Sequence, residues 1–291
     1  MPSLRDIKRR IRSIKNTSQI TKAMEMVAAS RMRRAQQRVT SARPYSDTMR
    51  SLIQELASSI GGSAGAELHP LLVQRPIDTV GVVLFTTNRG LCGGLNTNVI
   101  RRGSELILEQ QHPIELLTVG RKGQDFMTRR GHKLLGTFTG IGDAPSYDDI
   151  IPIARVILDS YNAGVMDRCY LVYPKFINTL TQRPQVDQLL PLQSPGGSDT
   201  KPADYIFEPN PAGILEELLP RFVEVQIYQA LLETQASEQS ARMIAMRNAT
   251  DNAKELVDSL TLTYNKARQA AITREVTEIA SAAEAMAASA R

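Results

Sequence analysis

Apolar residues recur at alternating steps of three and four along both ends of the chain. Such spacing predicts helices that bury one seam against another helix. In the first series the seam also contains three consecutive polar positions, Ser18, Thr21 and Glu25. The first series runs from Leu4 to Ile60, the second from Met246 through Ala249, Ala253, Leu256, Leu260, Thr263 and Ala267 to Ala270, and a third, in a shifted register, through Ile272, Val276, Ile279, Ala283, Met286 and Ala290.

Glycine is confined to the middle of the chain. All 18 glycines lie between Gly61 and Gly213, and residues 221–291 contain neither glycine nor proline. A glycine inside a helix costs about 1 kcal/mol relative to alanine, so its absence favours two long terminal helices. Pro44 is expected to kink the first helix.

Residues 77–210 have a different pattern. Strand-like runs rich in β-branched residues alternate with stretches that are compatible with helices at 95–110, 121–130 and 148–162. This alternation predicts an open α/β domain, similar to a Rossmann fold, with a mainly parallel sheet. The predicted strands are IDTVGVVLFTT, IELLTVG, KLLGTF and RCYLVYPKF, with QRPQVDQLLPL as an edge strand.

The predicted organisation is therefore helix, α/β domain, helix. The proposed boundaries are 1–60 for the first helix, 70–210 for the α/β domain and 211–291 for the last helix. A chain that leaves a domain and returns can pair its two ends, so the fold class is a long antiparallel coiled coil of the terminal helices plus an open α/β domain.

Positive charge is concentrated at the start of the chain. Residues 1–43 hold twelve Lys and Arg but only two acidic residues, whereas the rest of the chain carries a net negative charge. Three interpretations fit this basic arm: it binds nucleic-acid phosphates, it faces acidic protein surfaces, or its charges are only solvated. No aromatic residue lies among these charges before Tyr45, and no known nucleic-acid module follows, which counts against nucleic acid and leaves the other two open.

Few residues suggest chemistry. The segment TNRGLCGGLNTN (87–98) follows a strand and precedes a helix, where phosphate-binding loops lie. It lacks the GxGxxG and Gly-Lys-Ser/Thr patterns, so a structural or partner-contacting loop is favoured over a nucleotide site. GRKG (120–123) is a further turn into a helix, and solvated surface is favoured over an anion site there. The sequence predicts no catalytic residue, no cofactor and no metal.

The cysteines and the lengths of the apolar runs bear on where in the cell the protein is expected. Cys92 and Cys169 have no metal-binding spacing and are expected to be reduced and buried. Apolar runs fall short of the roughly 20 residues that span a bilayer, and no secretory signal pattern follows the charged start. The chain is expected to be cytosolic, or held at a membrane only through partners.

Several long segments together resemble one family, the gamma subunits of F-type ATP synthases. The resemblance extends over nearly the whole chain, in order, and departs from the family at Asn88, where an acidic residue is common. The insertion and cysteine pair of the chloroplast branch do not appear. The segments that carry it are ITKAMEMVAASRMRRAQ, RPYSDTM, TNRGLCGGLN, VYPKFINTLTQRP and ARMIAMRNATDNAKELVDSLTLTYNKARQAAITREVTEIASAAEAM.

The resemblance implies a non-catalytic rotary shaft. Its partners are a ring of three alpha and three beta subunits, the epsilon subunit and the membrane c-ring, and proton flow drives the rotation. The implied location is the cytoplasmic face of the bacterial plasma membrane. The alternative from another class, a basic coiled-coil protein that binds nucleic acid, predicts steeply salt-dependent duplex binding.

The resemblance also implies where partners contact the shaft. The implied contacts with beta subunits are Met24, Arg31, Arg33, Arg34, Arg268, Gln269 and Thr273. The implied contacts with the apolar bearing of the ring are Ala283, Met286 and Ala290. The loop of the α/β domain contributes Arg89, Gly90, Cys92, Gly93 and Gly94.

Overall fold

The computed structural model of the chain describes residues 3–59, 69–192 and 211–289. Ile60, Ala290 and residues 193–210, which connect the α/β domain to the last helix in the sequence, lie outside these residues. The described elements are, in chain order, α1 (Leu4–Ser59), β1 (Val80–Phe85), α2 (Leu95–Glu109), β2 (Ile114–Val119), α3 (Arg121–Arg129), β3 (Leu134–Phe138), α4 (Ile151–Asn162), β4 (Arg168–Phe176), β5 (Gln182–Leu190) and α5 (Pro211–Ser289).

The chain separates into two compact units. One unit contains Met1–Val27 and Met243–Arg291, and the other contains Ala28–Arg242. Each of the two long helices contributes residues to both units. The three-part division at residues 60, 70 and 210 stays a prediction.

The larger unit contains a five-stranded sheet in the order β3-β2-β1-β4-β5. The first four of these strands are parallel, and β5 pairs antiparallel with β4. The α/β fold and its added edge strand are therefore confirmed. In open parallel sheets of this kind, ligands bind at the carboxyl ends of the strands.

Alternate residues of the central strand β1 enter two different cores. Val80, Val82 and Leu84 pack with residues of α2, whereas Val83 and Phe85 face the core that contains α4 and part of α5. Successive side chains of a strand point to opposite faces, so a strand covered by helices on both faces is apolar throughout, and every residue of β1 is buried.

In the larger unit, α1 and α5 pack against each other through small apolar residues. Ala35 and Val39 form a buried cluster with Leu232 and Ala236. Arg43 lies 3.6 Å from the buried carboxylate of Glu233. Residues later in α1 lie opposite residues earlier in α5, so the two helices are antiparallel in this unit.

In the smaller unit, the polar seam positions pair across the two helices. The hydroxyls of Thr21 and Thr250 lie 2.7 Å apart. Glu25 accepts a hydrogen bond from Arg247 Nε at 3.1 Å and another from Lys22 at 3.1 Å. These pairs run antiparallel too, and Thr21 and Glu25 are buried because each has found a polar partner.

The predicted seam of α1 is confirmed from Leu4 to Ile53. Every described position of the series is buried or half-buried, and most residues between them are exposed. At the start of the helix, Ser3 Oγ accepts a hydrogen bond from the Asp6 amide at 3.2 Å, as a capping residue does.

The predicted seam of α5 is correct at five of its eight positions. Met246, Ala249, Ala253, Leu260 and Ala267 are buried or half-buried as expected, but Leu256 is 49% exposed, and Thr263 and Ala270 are exposed too. Beyond Ala249, the second row of the seam lies one residue later than predicted. It contains Thr250, Val257, Tyr264 and Ala271. The apolar pattern favoured Leu256 over its neighbour Val257, but the pairing of Thr250 with Thr21 sets the register.

The described residues of the third series, from Ile272 onward, are exposed. Ile272, Val276, Ile279 and Met286 are between 52% and 73% exposed. The reason is the length of α1: extending the antiparallel register from Thr21 and Thr250 places Leu4, where α1 begins, opposite about residue 267. Beyond that point α5 has no α1 residue to pack against.

We predict that Glu25→Gln weakens the smaller unit in a pH-dependent way. The hydrogen bond from Lys22, followed by that from Arg247, lowers the pKa of Glu25 below its ordinary 4.5. A lowered pKa stabilises the fold above the ordinary value, and this contribution is lost as pH falls through the folded pKa. Because Lys22 and Arg247 are mostly exposed, we expect a loss of about 1 kcal/mol at pH 7.

The measurement is urea unfolding followed by circular dichroism at several pH values. The difference between Glu25→Gln and the wild type is expected to narrow below pH 4.5. Glu255→Gln, at an exposed position of the same unit, is the matched control and should change little. An equal deficit of the Glu25 variant at all pH values would contradict the charge-based explanation.

Candidate functional site

The basic residues near the middle of α1 differ in their partners. Arg31 pairs with the carboxylate of Asp143, in the segment after β3, and Arg38 donates to the backbone carbonyl of Asp143 at 3.4 Å. Arg33 and Arg34 are exposed, and neither forms an ion pair with a described residue. Only part of the predicted basic surface is therefore free to meet another molecule.

In the smaller unit, Met24 is half-buried beside the polar seam. Arg268, Gln269 and Thr273 are exposed on α5. They lie just beyond the part of α5 that α1 covers, so their polar groups are available to a partner.

The end of α5 presents an apolar stripe. Ala283 and Met286 are exposed and extend the row of Ile272, Val276 and Ile279. A row of exposed apolar residues at helical spacing marks an interaction surface.

The loop between β1 and α2 is held rigidly from inside. Asn96 accepts a hydrogen bond from the Thr87 amide at 3.1 Å and donates to Thr87 Oγ1 at 2.8 Å and to Cys92 Sγ at 3.2 Å. Cys92 is buried, and burial raises the pKa of its thiol. Cys92 therefore supports the loop from its buried side, and a partner contact at this residue stays a prediction.

Sequence reasoning missed Leu91 in this loop. Its φ angle is 62°, in the left-handed region that only a few per cent of non-glycine residues adopt. Its side chain is nevertheless 61% exposed. An exposed leucine in a strained conformation is a contact candidate, and the exposed Arg89 and Gly93 lie on either side of it.

The amides at the start of α3 are occupied by the protein itself. Arg121 N donates to Asn88 Oδ1 at 3.1 Å, Lys122 N to the Thr87 carbonyl at 3.1 Å, and Gly123 N to Thr86 Oγ1 at 2.8 Å. Phosphate sites at helix starts need these amides free. This arrangement disfavours an anion site at GRKG.

Gly120 makes that close packing possible. Its φ angle is 99°, and a Cβ atom at this position would lie 2.1 Å from the Thr86 carbonyl oxygen.

The presence of asparagine at position 88, where the family commonly has an acidic residue, also has a local explanation. Its Nδ2 donates to the Ile141 carbonyl at 3.1 Å while its Oδ1 accepts from Arg121 N, and an ionised carboxylate could not make the first bond.

A cavity of about 560 Å³ opens at the carboxyl ends of β1, β2 and β3. Its charged lining residues are Arg89, Arg121, Asp143 and Glu238. Arg242 donates to Glu238 at 2.6 Å and to the Gly90 carbonyl at 3.2 Å, and burial raises the pKa of Glu238. The lining contains no histidine, serine or cysteine, and the hydroxyls of its Thr86 and Thr234 donate to backbone carbonyls.

The cysteines and the potential metal ligands of the described residues do not form a reactive site. Cys92 and Cys169 are buried and unpaired, and burial raises the pKa of Cys169 to about 12. Across residues 3–59, 69–192 and 211–289, no cluster of three or more His, Cys, Asp and Glu side chains could hold a metal ion. Within the same ranges no helix is both long and apolar enough to cross a bilayer.

Comparison with known proteins identifies the family. The model of the family described as ATP synthase matches residues 3–286. The ATP synthase gamma chain of Chloroflexus aurantiacus is 51% identical over 290 residues, which cover 98% of this chain and 99% of the relative. That of Roseiflexus sp. is 50% identical, with 99% of each chain covered.

Solved structures agree with these relatives. A chain of the central stalk and c-ring assembly of the Tetrahymena thermophila mitochondrial ATP synthase has a TM-score of 0.63 and 25% identity, covering 79% of this chain and 99% of that one. A chain of the Euglena gracilis mitochondrial ATP synthase has a TM-score of 0.71 and 23% identity, covering 99% and 96%; this second likeness supports the fold. The chain therefore belongs to the family of ATP synthase gamma chains, the non-catalytic subunits that form the central shaft of that rotary enzyme.

Proposed function

We propose that the end of α5 turns inside an apolar bearing formed by a ring of three alpha and three beta subunits. The supporting observation is the exposed row that begins at Ile272, where α5 no longer has an α1 residue to bury it. A stripe of several exposed apolar side chains is costly in water, so a surrounding protein surface accounts for it. Small residues such as Ala283 keep this end of α5 slim.

The polar positions before the stripe are proposed to grip the beta subunits. Arg268, Gln269 and Thr273 are exposed, and Arg268 is separated from the others by one and five residues, so the three share about one turn and a half of helix. Hydrogen-bond donors at these positions can hold acceptors on one beta subunit, while the apolar end of the same helix meets little resistance in its bearing.

The basic residues of α1 are proposed to engage and release acidic loops of successive beta subunits. Exposed ion pairs contribute only about 0–1 kcal/mol each, so Arg33 and Arg34 can exchange partners at low cost as the shaft turns. Arg31 contributes less, because Asp143 already neutralises it. Met24 adds an apolar contact on the neighbouring turns.

The α/β domain is proposed to bind the epsilon subunit and the c-ring, so that proton-driven rotation of the c-ring turns the shaft and drives the beta subunits through their catalytic states. The related Tetrahymena chain is part of a central stalk and c-ring assembly, and the curated relatives are bacterial. The proposed location is accordingly the cytoplasmic face of the bacterial plasma membrane, with attachment through partners alone. We infer no cofactor and no nucleic-acid partner.

We predict that changing Arg33 and Arg34 together to Gln reduces the number of protons pumped per ATP hydrolysed. The deficit should be large at about 0.01 M salt and small at 0.15 M, because salt screens exposed charges in the wild type as well. The measurement is ATP-driven acidification of vesicles that contain the reconstituted complex. Arg31→Gln is the internal comparison and should have the smaller effect. Unchanged coupling of the double variant at low salt would mean that these charges are only solvated.

We predict opposite outcomes for two lesions of α5. Replacing Arg268 and Gln269 by Leu should impair assembly or ATP hydrolysis clearly, because acceptors on the beta subunit lose their donors at about 1–3 kcal/mol each. Deleting residues 283–291 should leave substantial rotation, since the gripping positions remain.

The measurement is ATP hydrolysis and proton pumping of both variants in vesicles. Replacing Asn265 and Lys266 by Leu one turn earlier, also at exposed positions, controls for added apolar surface. An inactive truncation together with a normal Arg268 and Gln269 variant would show that grip and bearing are assigned the wrong way round.

A further inference from the structure

The turn between β4 and β5 presents exposed apolar side chains. Leu180 is 80% exposed and Ile177 is 49% exposed. The turn itself is well ordered, because Asn178 Oδ1 accepts hydrogen bonds from Leu180 N at 2.9 Å and Thr181 N at 2.8 Å. These leucine and isoleucine side chains are therefore held outward in a defined conformation.

The inner face of this hairpin is fixed to α5. The Phe176 amide donates to Glu233 at 3.1 Å, and the Phe176 ring is buried in the cluster that contains Ala236. Ser237 donates to the Pro174 carbonyl at 2.9 Å, and Ser240 to the Thr179 carbonyl at 2.6 Å. The hairpin is thus attached at several points along two turns of helix.

The outer face carries two facing cations. Lys175 and Arg183 are directly opposite each other in the β4–β5 register, and both are exposed. Like charges at such a position are destabilising. Among the ion pairs of the described residues none includes either side chain. The one acidic residue of β4 and β5, Asp187, already accepts hydrogen bonds from Tyr173 Oη at 2.7 Å and Gln185 Nε2 at 2.8 Å.

An unneutralised pair of cations beside exposed leucine and isoleucine calls for an external partner. We infer that the outer face of the hairpin, defined as Lys175, Ile177, Leu180 and Arg183, docks an acidic protein segment that also presents an apolar side chain. Carboxylates of that segment relieve the repulsion between Lys175 and Arg183, and its apolar group covers Leu180.

A membrane surface is the less suitable occupant. Each Lys or Arg near an anionic membrane contributes about 1 kcal/mol, so two cations and two apolar side chains give weak attachment. A protein carboxylate placed between the two cations interacts with both at short range.

The first experiment treats the complete ATP synthase containing this chain with a carbodiimide. The reagent activates carboxylates, and an amide bond forms between Lys175 Nζ and the carboxyl carbon of a touching Asp or Glu. The water that leaves hydrates the carbodiimide to a urea, so no other reactant is needed. We expect mass spectrometry to find a peptide of another subunit joined to Lys175. Lys175→Arg keeps the charge but removes the reactive amine, and should abolish only this product.

The second experiment separates docking from stability. Lys175→Glu creates an opposite-charge pair with Arg183, so we expect the isolated chain to unfold at a higher temperature. The same change should weaken binding of the full chain to the isolated ring of alpha and beta subunits about fivefold at low salt, which corresponds to about 1 kcal/mol. Lys133→Glu, at an exposed position before β3, is the control. Leu180→Ser should weaken binding with little effect on salt dependence.

The inference rests on the proposed function, because the ring of alpha and beta subunits is the binding probe. The outcomes distinguish failure of the docking surface from failure of the proposed function. Failure of the wild-type chain to bind the ring would overturn the proposed function. Normal ring binding by Lys175→Glu and Leu180→Ser, with no product at Lys175, would overturn the docking surface and leave the shaft intact. Wild-type sedimentation with phosphatidylserine vesicles that Lys175→Glu abolishes would replace the protein partner with a membrane.

Discussion

The antiparallel pairing of the two ends of the chain is the constraint on which the rest of the structure depends. In the smaller unit it is set by Thr21 with Thr250 and Glu25 with Arg247. In the larger unit it is set by small apolar residues and by Arg43 near Glu233. A seam made only of alanine, leucine and methionine tolerates sliding, whereas buried polar groups must find particular partners. The polar positions of the seam therefore specify register where the apolar positions supply packing.

The same pairing determines which surfaces remain for partners. Since α1 begins at Leu4, it covers α5 only up to about residue 267 in this register. Arg268 and Gln269, the positions proposed to grip the beta subunits, and the apolar stripe that starts at Ile272 follow directly after that point. The change from buried to exposed surface thus coincides with the start of the residues proposed to face partners.

The sequence was sufficient for the broad fold but not for side-chain partnerships. The seam of α1 and the alternation of strands and helices along the middle of the chain could be predicted, because apolar spacing and the placement of glycine are local signals. The second row of the α5 seam could not, because Leu256 and Val257 are both apolar and only a contact with α1 decides between them. The pairing of Arg31 with Asp143 and the strained Leu91 depend on contacts distant in sequence, and no periodicity reports them.

The unequal lengths of the two helices also have a mechanical consequence. Where α1 and α5 run side by side, a twisting load is shared by two helices joined along a seam, so this section is torsionally stiff. Beyond about residue 267 the load falls on one helix, which is more compliant. The proposed gripping positions lie where this change occurs, so torque would enter the shaft at the end of its stiff section, and the slim end needs only to keep the axis centred. A shaft of this construction is doubled where it carries the load and single where it only turns.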